Sequence, residues 1–139
     1  MPVLTEEALI QIRRDLHAMP ELALNEVRTE AYLEKVISGF NQAHLTVKHI
    51  ADLPTALLVR VAGSNPKRTL GYRTDIDALP VSEKTGLPFA SKNSGIMHAC
   101  GHDIHMTVAL GVPVLYTTLR AQQTKANLAC RPLLEKKKH

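Results

Sequence analysis

Over the first forty positions, apolar residues recur every three or four places. Leu9, Ile12 and Leu16 mark one face of a helix. Thr5 stands ahead of them as an N-cap, and Glu6 and Glu7 face the positive end of the helix dipole. Pro20 ends this helix. A second is predicted from about 27 to 38, with Leu33, Val36, Ile37 and Phe40 on its buried side and Gly39 as its stop. The period then shortens. "LTVKHI" (45–50) reads as a strand, "TALLVRVAG" (55–63) as a stronger one, and "NPKR" (65–68) as the turn after it. "TLGYRTDIDALP" (69–80) predicts a strand running into a loop. "MTVALGVPVLYTTLRAQ" (106–122) has helical composition, but Gly111 and Pro113 lie inside it. A proline in a helix interior costs ~3 kcal/mol or more, so an interruption is expected there. This alternation predicts an α/β layered domain, a mixed sheet flanked by helices.

Composition narrows the class. The chain has 139 residues, 45% hydrophobic and 22% charged, which suits one modest domain or a piece of a larger one. No apolar run approaches the ~20 residues of a membrane helix. The opening "MPVLTEEALI" carries acids where a signal peptide carries basic residues, so a cytoplasmic protein without a membrane partner is expected. The net charge of +4 is unevenly placed: residues 1–119 sum to −1 and residues 120–139 to +5. The basic tail holds no aromatic residue, which favours a solvated, frayed end over a nucleic-acid face. Cys100 and Cys130 make no disulfide framework.

The chemistry concentrates in "MHACGHDIH" (97–105), which packs three histidines, a cysteine and an aspartate around one glycine. If this segment is extended, Cys100 and His102 share one side, and Gly101 between them permits a tight turn. A thiolate and an imidazole together make half of a borderline-soft metal site. Asp103 could orient a histidine through its second ring nitrogen. The plainer alternative is a His-rich loop with a free cysteine, and the density of the cluster favours metal. In "YRTDIDALP", Asp75 lies where α/β sheets collect ligand groups, beyond the carboxyl end of a strand. It reads as a metal-site carboxylate or orienter. The alternative is a polar loop in which Asp77 caps a turn.

Three ordered stretches carry a resemblance: "IRRDLHAMPELALNEVRTEAYL", "GYRTDIDALPVSEKTGLPF" and "GIMHACGHDIHMTVALG". From about Leu4 to Val112 the chain resembles the aminoacylase and hippurate-hydrolase-like branch of the dimetal zinc-peptidase superfamily. The resemblance implies metal-dependent amide hydrolysis within the N-terminal part of a zinc-peptidase-like catalytic domain. It assigns Cys100 and His102 as metal ligands and Asp75 as the active-site aspartate; His17 and Glu21 read as structural. The implied cofactor is a divalent metal, whether zinc, manganese or cobalt. The implied substrate is a small N-acetyl amino acid, N-acetyldiaminopimelate of lysine biosynthesis first and other N-acyl amino acids as the alternative. A homodimer is expected only of a full-length form.

After Val112 the pattern is expected to break. The family's general-base glutamate and remaining ligands belong to a "QPAEE"-type segment and beyond, and Glu135 in "RPLLE" does not match it. Residues 1–112 are therefore read as the N-terminal part of the catalytic domain, and 113–139 as a divergent, poorly ordered basic tail. The site is incomplete within the chain, so two functions stay open. One is a metal-dependent deacetylase represented by a fragment; the other is a non-catalytic remnant that at most binds a metal or a partner.

Overall fold

In a computed structural model, residues 4–40, 42–63 and 67–114 are described. Two helices come first, α1 (Glu6–Ala18) and α2 (Val27–Ser38). The Thr5 hydroxyl accepts the Ala8 N–H at 3.2 Å, the N-cap bond expected of it. α2 is capped from further away. Glu26 stands at its N-cap position without a capping bond, and its carboxylate accepts the Thr55 hydroxyl instead, at 2.8 Å. The free amides of the first turn go to Glu21, which accepts from the N–H groups of Arg28 (3.3 Å) and Thr29 (2.8 Å) and from the Thr29 hydroxyl (2.9 Å). Gly39 closes α2 in the right-handed region rather than as a left-handed cap.

A short 3-10 turn (Gln42–His44) leads into a hairpin of β1 (Leu45–Ile50) and β2 (Leu53–Val61). The strands are antiparallel, with Leu45 opposite Val61 and Val47 opposite Val59, and the register shifts between His49 and Ile50. Leu45, Val47, Leu57 and Val59 turn toward the helices. A third helix, α3, occupies residues 102–114. Ile12 and Leu16 from α1, Leu33 and Ile37 from α2, and Met106 and Leu110 from α3 form the core. Leu16 is 0% exposed at its centre. Full burial of such a side chain is worth roughly 1.5–3 kcal/mol.

The α/β class and the order of the first four elements match the expectation. Three details differ. First, residues 69–76 form no strand; Ala78 and Leu79 make only isolated bridges, parallel to Leu22 and antiparallel to Met97. A strand needs a neighbouring ladder, and Leu70 stands 93% exposed. The one sheet among those residues is therefore the antiparallel hairpin, not a mixed sheet. Second, α3 starts at 102, so His102, Asp103 and His105 are helical rather than extended. Gly101 makes the turn at φ +87°, and its carbonyl accepts the Ile104 and His105 amides at 3.0 and 3.1 Å. Third, α3 stays helical through Gly111 and Pro113 to 114, with Pro113 buried. The expected interruption is absent over these residues, and the proposed boundary at Val112 falls inside the helix. The rest of the basic tail, residues 115–139 with Cys130 and Glu135, lies outside the described residues.

The long connection 67–101 is pinned to the end of α1. The Ala78 N–H donates to the Glu21 carbonyl (2.7 Å), the Lys92 N–H to the Ala18 carbonyl (2.9 Å), and the Asn93 amide to the Pro20 carbonyl (2.6 Å). Leu79 and Met97 exchange two backbone bonds of 3.0 Å. This places "TDIDA" beside "HACGHD".

Candidate functional site

His102 opens α3 with its side chain 19% exposed. Its Nδ1 lies 2.8 Å from the Asp77 carbonyl and 3.1 Å from Asp77 Oδ1. A protonated Nδ1 donating there fixes the ring and leaves Nε2 as the lone-pair nitrogen. This is the arrangement of a metal-binding histidine held by a neighbouring carbonyl or carboxylate. The His105 ring lies 6.0 Å from that of His102. Cys100 is a free, exposed thiol one residue before the Gly101 turn.

Asp75 takes another course. Its Oδ1 is 2.5 Å from Arg73 Nη2, and both side chains are exposed. The carboxylate that meets His102 is Asp77, two positions on. In the sequence pattern Asp75 is the candidate site carboxylate and Asp77 a turn cap. Asp103 does orient a histidine, as its place in the motif suggests. The histidine is His17, 86 residues away, at 2.7 Å from Nδ1 to Oδ2.

Asp103 belongs to a buried ionic network. Arg13 Nε sits 2.9 Å from Asp103 Oδ2, a contact of charge rather than an aligned hydrogen bond. His17 Nε2 lies 3.2 Å from Glu83 Oε1. Glu83 also accepts the Ser91 N–H at 2.6 Å and the Thr85 hydroxyl. Burial alone would raise the Glu83 pKa; the Ser91 amide, the Thr85 hydroxyl and His17 outweigh it and hold the carboxyl below its ordinary value. Phe89 packs edge-on to His17, 5.7 Å between centroids, and under the Arg13 and Arg14 guanidiniums at 5.0 and 5.2 Å. His17 and Glu21 thus both make structural contacts, as their motif suggested.

His98 is 4% exposed, and neither ring nitrogen has a hydrogen-bond partner among the described residues. Burial is the main force lowering its pKa. His17 and His102 add to the lowering, while Asp103 and Asp77 oppose it. The surroundings of His98 thus disfavour the protonated ring. Cys100 and His102 belong to no group of three potential ligands with donor atoms within 4.8 Å of one another among the described residues. The group that meets that distance is Glu30, Glu34 and His49, on α2 and β1.

Comparison with known proteins bears on this arrangement. The sequence profile of Peptidase family M20/M25/M40 matches residues 71–130, which include Asp77, Cys100 and His102. A relative from Lactobacillus helveticus, named N-acetyldiaminopimelate deacetylase, is 63% identical over 128 residues, 92% of this chain and 33% of its own. The chain belongs to the M20 peptidase family. A second relative of the same name, from Limosilactobacillus reuteri, is 68% identical over 110 residues, 79% of this chain and 29% of its own. Among solved structures, the Bacillus subtilis YxeP protein, described as a dinuclear metal-binding peptidase of the M20 family, matches with a TM-score of 0.75 and 37% identity. That match covers 84% of this chain and 33% of the other. The chain spans about a third of the length of the curated relatives it matches. The M20 match runs from residue 71 to residue 130 and so includes Val112.

Proposed function

We propose that this chain contributes the N-terminal part of the metal centre of an amide hydrolase that removes the acetyl group from N-acetyldiaminopimelate. The observation that carries the reading is the fixing of His102 Nδ1 by Asp77, which leaves Nε2 free to take a metal, with the free Cys100 thiol two residues away in the chain. The donor set fits zinc, manganese or cobalt, one sulfur and one imidazole being half of a borderline-soft site. A divalent metal there supplies Lewis-acid polarisation of the amide carbonyl and lowers the pKa of water toward neutrality. The chain's own residues do the holding: Asp77 orients His102, and Cys100 and His102 bind. We assign the orienting role to Asp77 in place of Asp75. The general base and the closing ligands come from outside the described residues. A reducing cytoplasm suits a free ligand cysteine. The ligand that the relatives' shared name points to is a small N-acetyl amino acid, and a homodimer belongs to a longer form.

The test is acetate release from N-acetyldiaminopimelate. The 139-residue chain alone should release none above a metal-only control, because it offers two of the roughly three protein ligands of a catalytic zinc. A chimaera that carries this chain ahead of the remaining two thirds of the Lactobacillus helveticus relative should be active and chelator-sensitive. Activity of the chimaera only on other N-acyl amino acids would keep the hydrolase and reject the substrate.

A further inference from the structure

Asp103 follows His102 directly and is 0% exposed. It is gripped by His17 at 2.7 Å and Arg13 at 2.9 Å, both from α1, and His17 reaches on to Glu83 at 3.2 Å. Glu83 is anchored in turn by the Ser91 N–H at 2.6 Å. Three segments far apart in the chain thus meet at the first turn of α3. A buried ionic network of this kind is weak evidence for stability, because apolar residues of similar volume often do as well or better. Its effect on position is more definite. Asp103 is the only residue of the first α3 turn that is fully enclosed, since His102 is partly exposed and Ile104 and His105 are exposed. The direction in which α3 leaves Gly101, and so the placing of His102, depends on where Asp103 is held. Gly101 at φ +87° adds no side chain that could hold the turn in another way.

We propose that Arg13, Asp103, His17 and Glu83 form a positioning clamp that sets the start of α3 and thereby aims His102 and Cys100 at their ligand. None of the four touches the ligand. The clamp's purpose rests on the metal reading above; its geometry does not. Asp103 and His17 are the hinge of the clamp, and Glu83 fixes the far side of His17.

Two substitutions separate the contacts. His17→Asn keeps a nitrogen where Nδ1 meets Asp103, and His17→Gln keeps one where Nε2 meets Glu83. The first measurement is amide hydrogen exchange on the full chain, with the Leu45–Val61 hairpin as internal reference. In His17→Gln the amides of residues 102–107 should exchange about tenfold faster while the hairpin is unchanged, and His17→Asn should stay close to wild type. The second is titration with Co²⁺ alone, followed by the thiolate-to-cobalt absorption of Cys100. Affinity should fall roughly 10–100-fold in His17→Gln, with substantial rescue in His17→Asn. Glu83→Gln should show both effects more weakly and serves if His17→Gln does not fold. Unchanged exchange in α3, or equal acceleration in the hairpin, would overturn the clamp. Absence of the thiolate–cobalt band in the wild type would reject the metal reading, while the exchange data still decide the clamp.

Discussion

Two aspartates two positions apart show what single residues can and cannot reveal. Asp75 and Asp77 share a loop, a charge and a motif, and spacing gives no means of choosing between them. Backbone hydrogen bonds that tie Ala78 to Glu21 and Leu79 to Met97 carry Asp77, not Asp75, to His102. Those bonds span up to 57 positions and leave no periodic trace in the sequence. Asp77→Ala removes the carboxylate at 3.1 Å but keeps the backbone carbonyl at 2.8 Å, so it should weaken metal binding by roughly tenfold, the low end for a lost orienting partner, and Asp75→Ala much less, both read by titration with Zn²⁺ against a chromophoric chelator. Equal losses would return the role to Asp75. Glu83 supports a prediction in pH. Its folded pKa lies below the ordinary 4.5, so the stability it contributes is complete above that value and is lost as pH falls through the folded pKa. Thermal melts should drop as the solution is acidified below about pH 4.5, and Glu83→Gln should flatten part of that drop. An identical acid limb in both proteins would show that Glu83 takes no part.

At the scale of elements, much was legible. Thr5, Glu6 and Glu7 announced the start of α1, the apolar spacing gave the α2 core residues Leu33 and Ile37, and the alternation in 45–61 gave both strands. These signals are local, and the physics that reads them is local too. The failures were of another kind. "TLGY" has strand composition, but a strand exists only where a second one pairs with it, and no periodicity reports that. The start of α3 was hidden because Gly101 reads equally as part of an extended site loop and as the turn before a helix. The cap of α2 was hidden because Glu21 supplies it from seven and eight residues upstream. Glu21→Ala should cost about 0.5–2 kcal/mol, the range for loss of a helix cap. Chemical denaturation would measure it. A cost near zero would mean that water satisfies the α2 amides as well.

For the whole molecule, the relevant fact is how much apolar surface stays open. Leu24, Leu70, Tyr72, Ile104 and Val108 are all exposed, and the chain spans about a third of its curated relatives' length. Surfaces of this kind are normally covered. The isolated chain should be marginally stable or self-associating, and a sharp cooperative melt of a monomer above ~60 °C would contradict this. The metal site should be similarly partial, holding clearly less than one metal per chain after dialysis. The central claim is that Cys100 and His102 bind the metal together, with Asp77 behind the imidazole. X-ray absorption of the zinc-loaded chain tests it most directly. The account predicts one sulfur scatterer near 2.3 Å and imidazole nitrogen at about 2.0–2.1 Å, with the sulfur lost in Cys100→Ala and the imidazole signature reduced in His102→Ala. A first shell of oxygen and nitrogen alone, unchanged by Cys100→Ala, would contradict it.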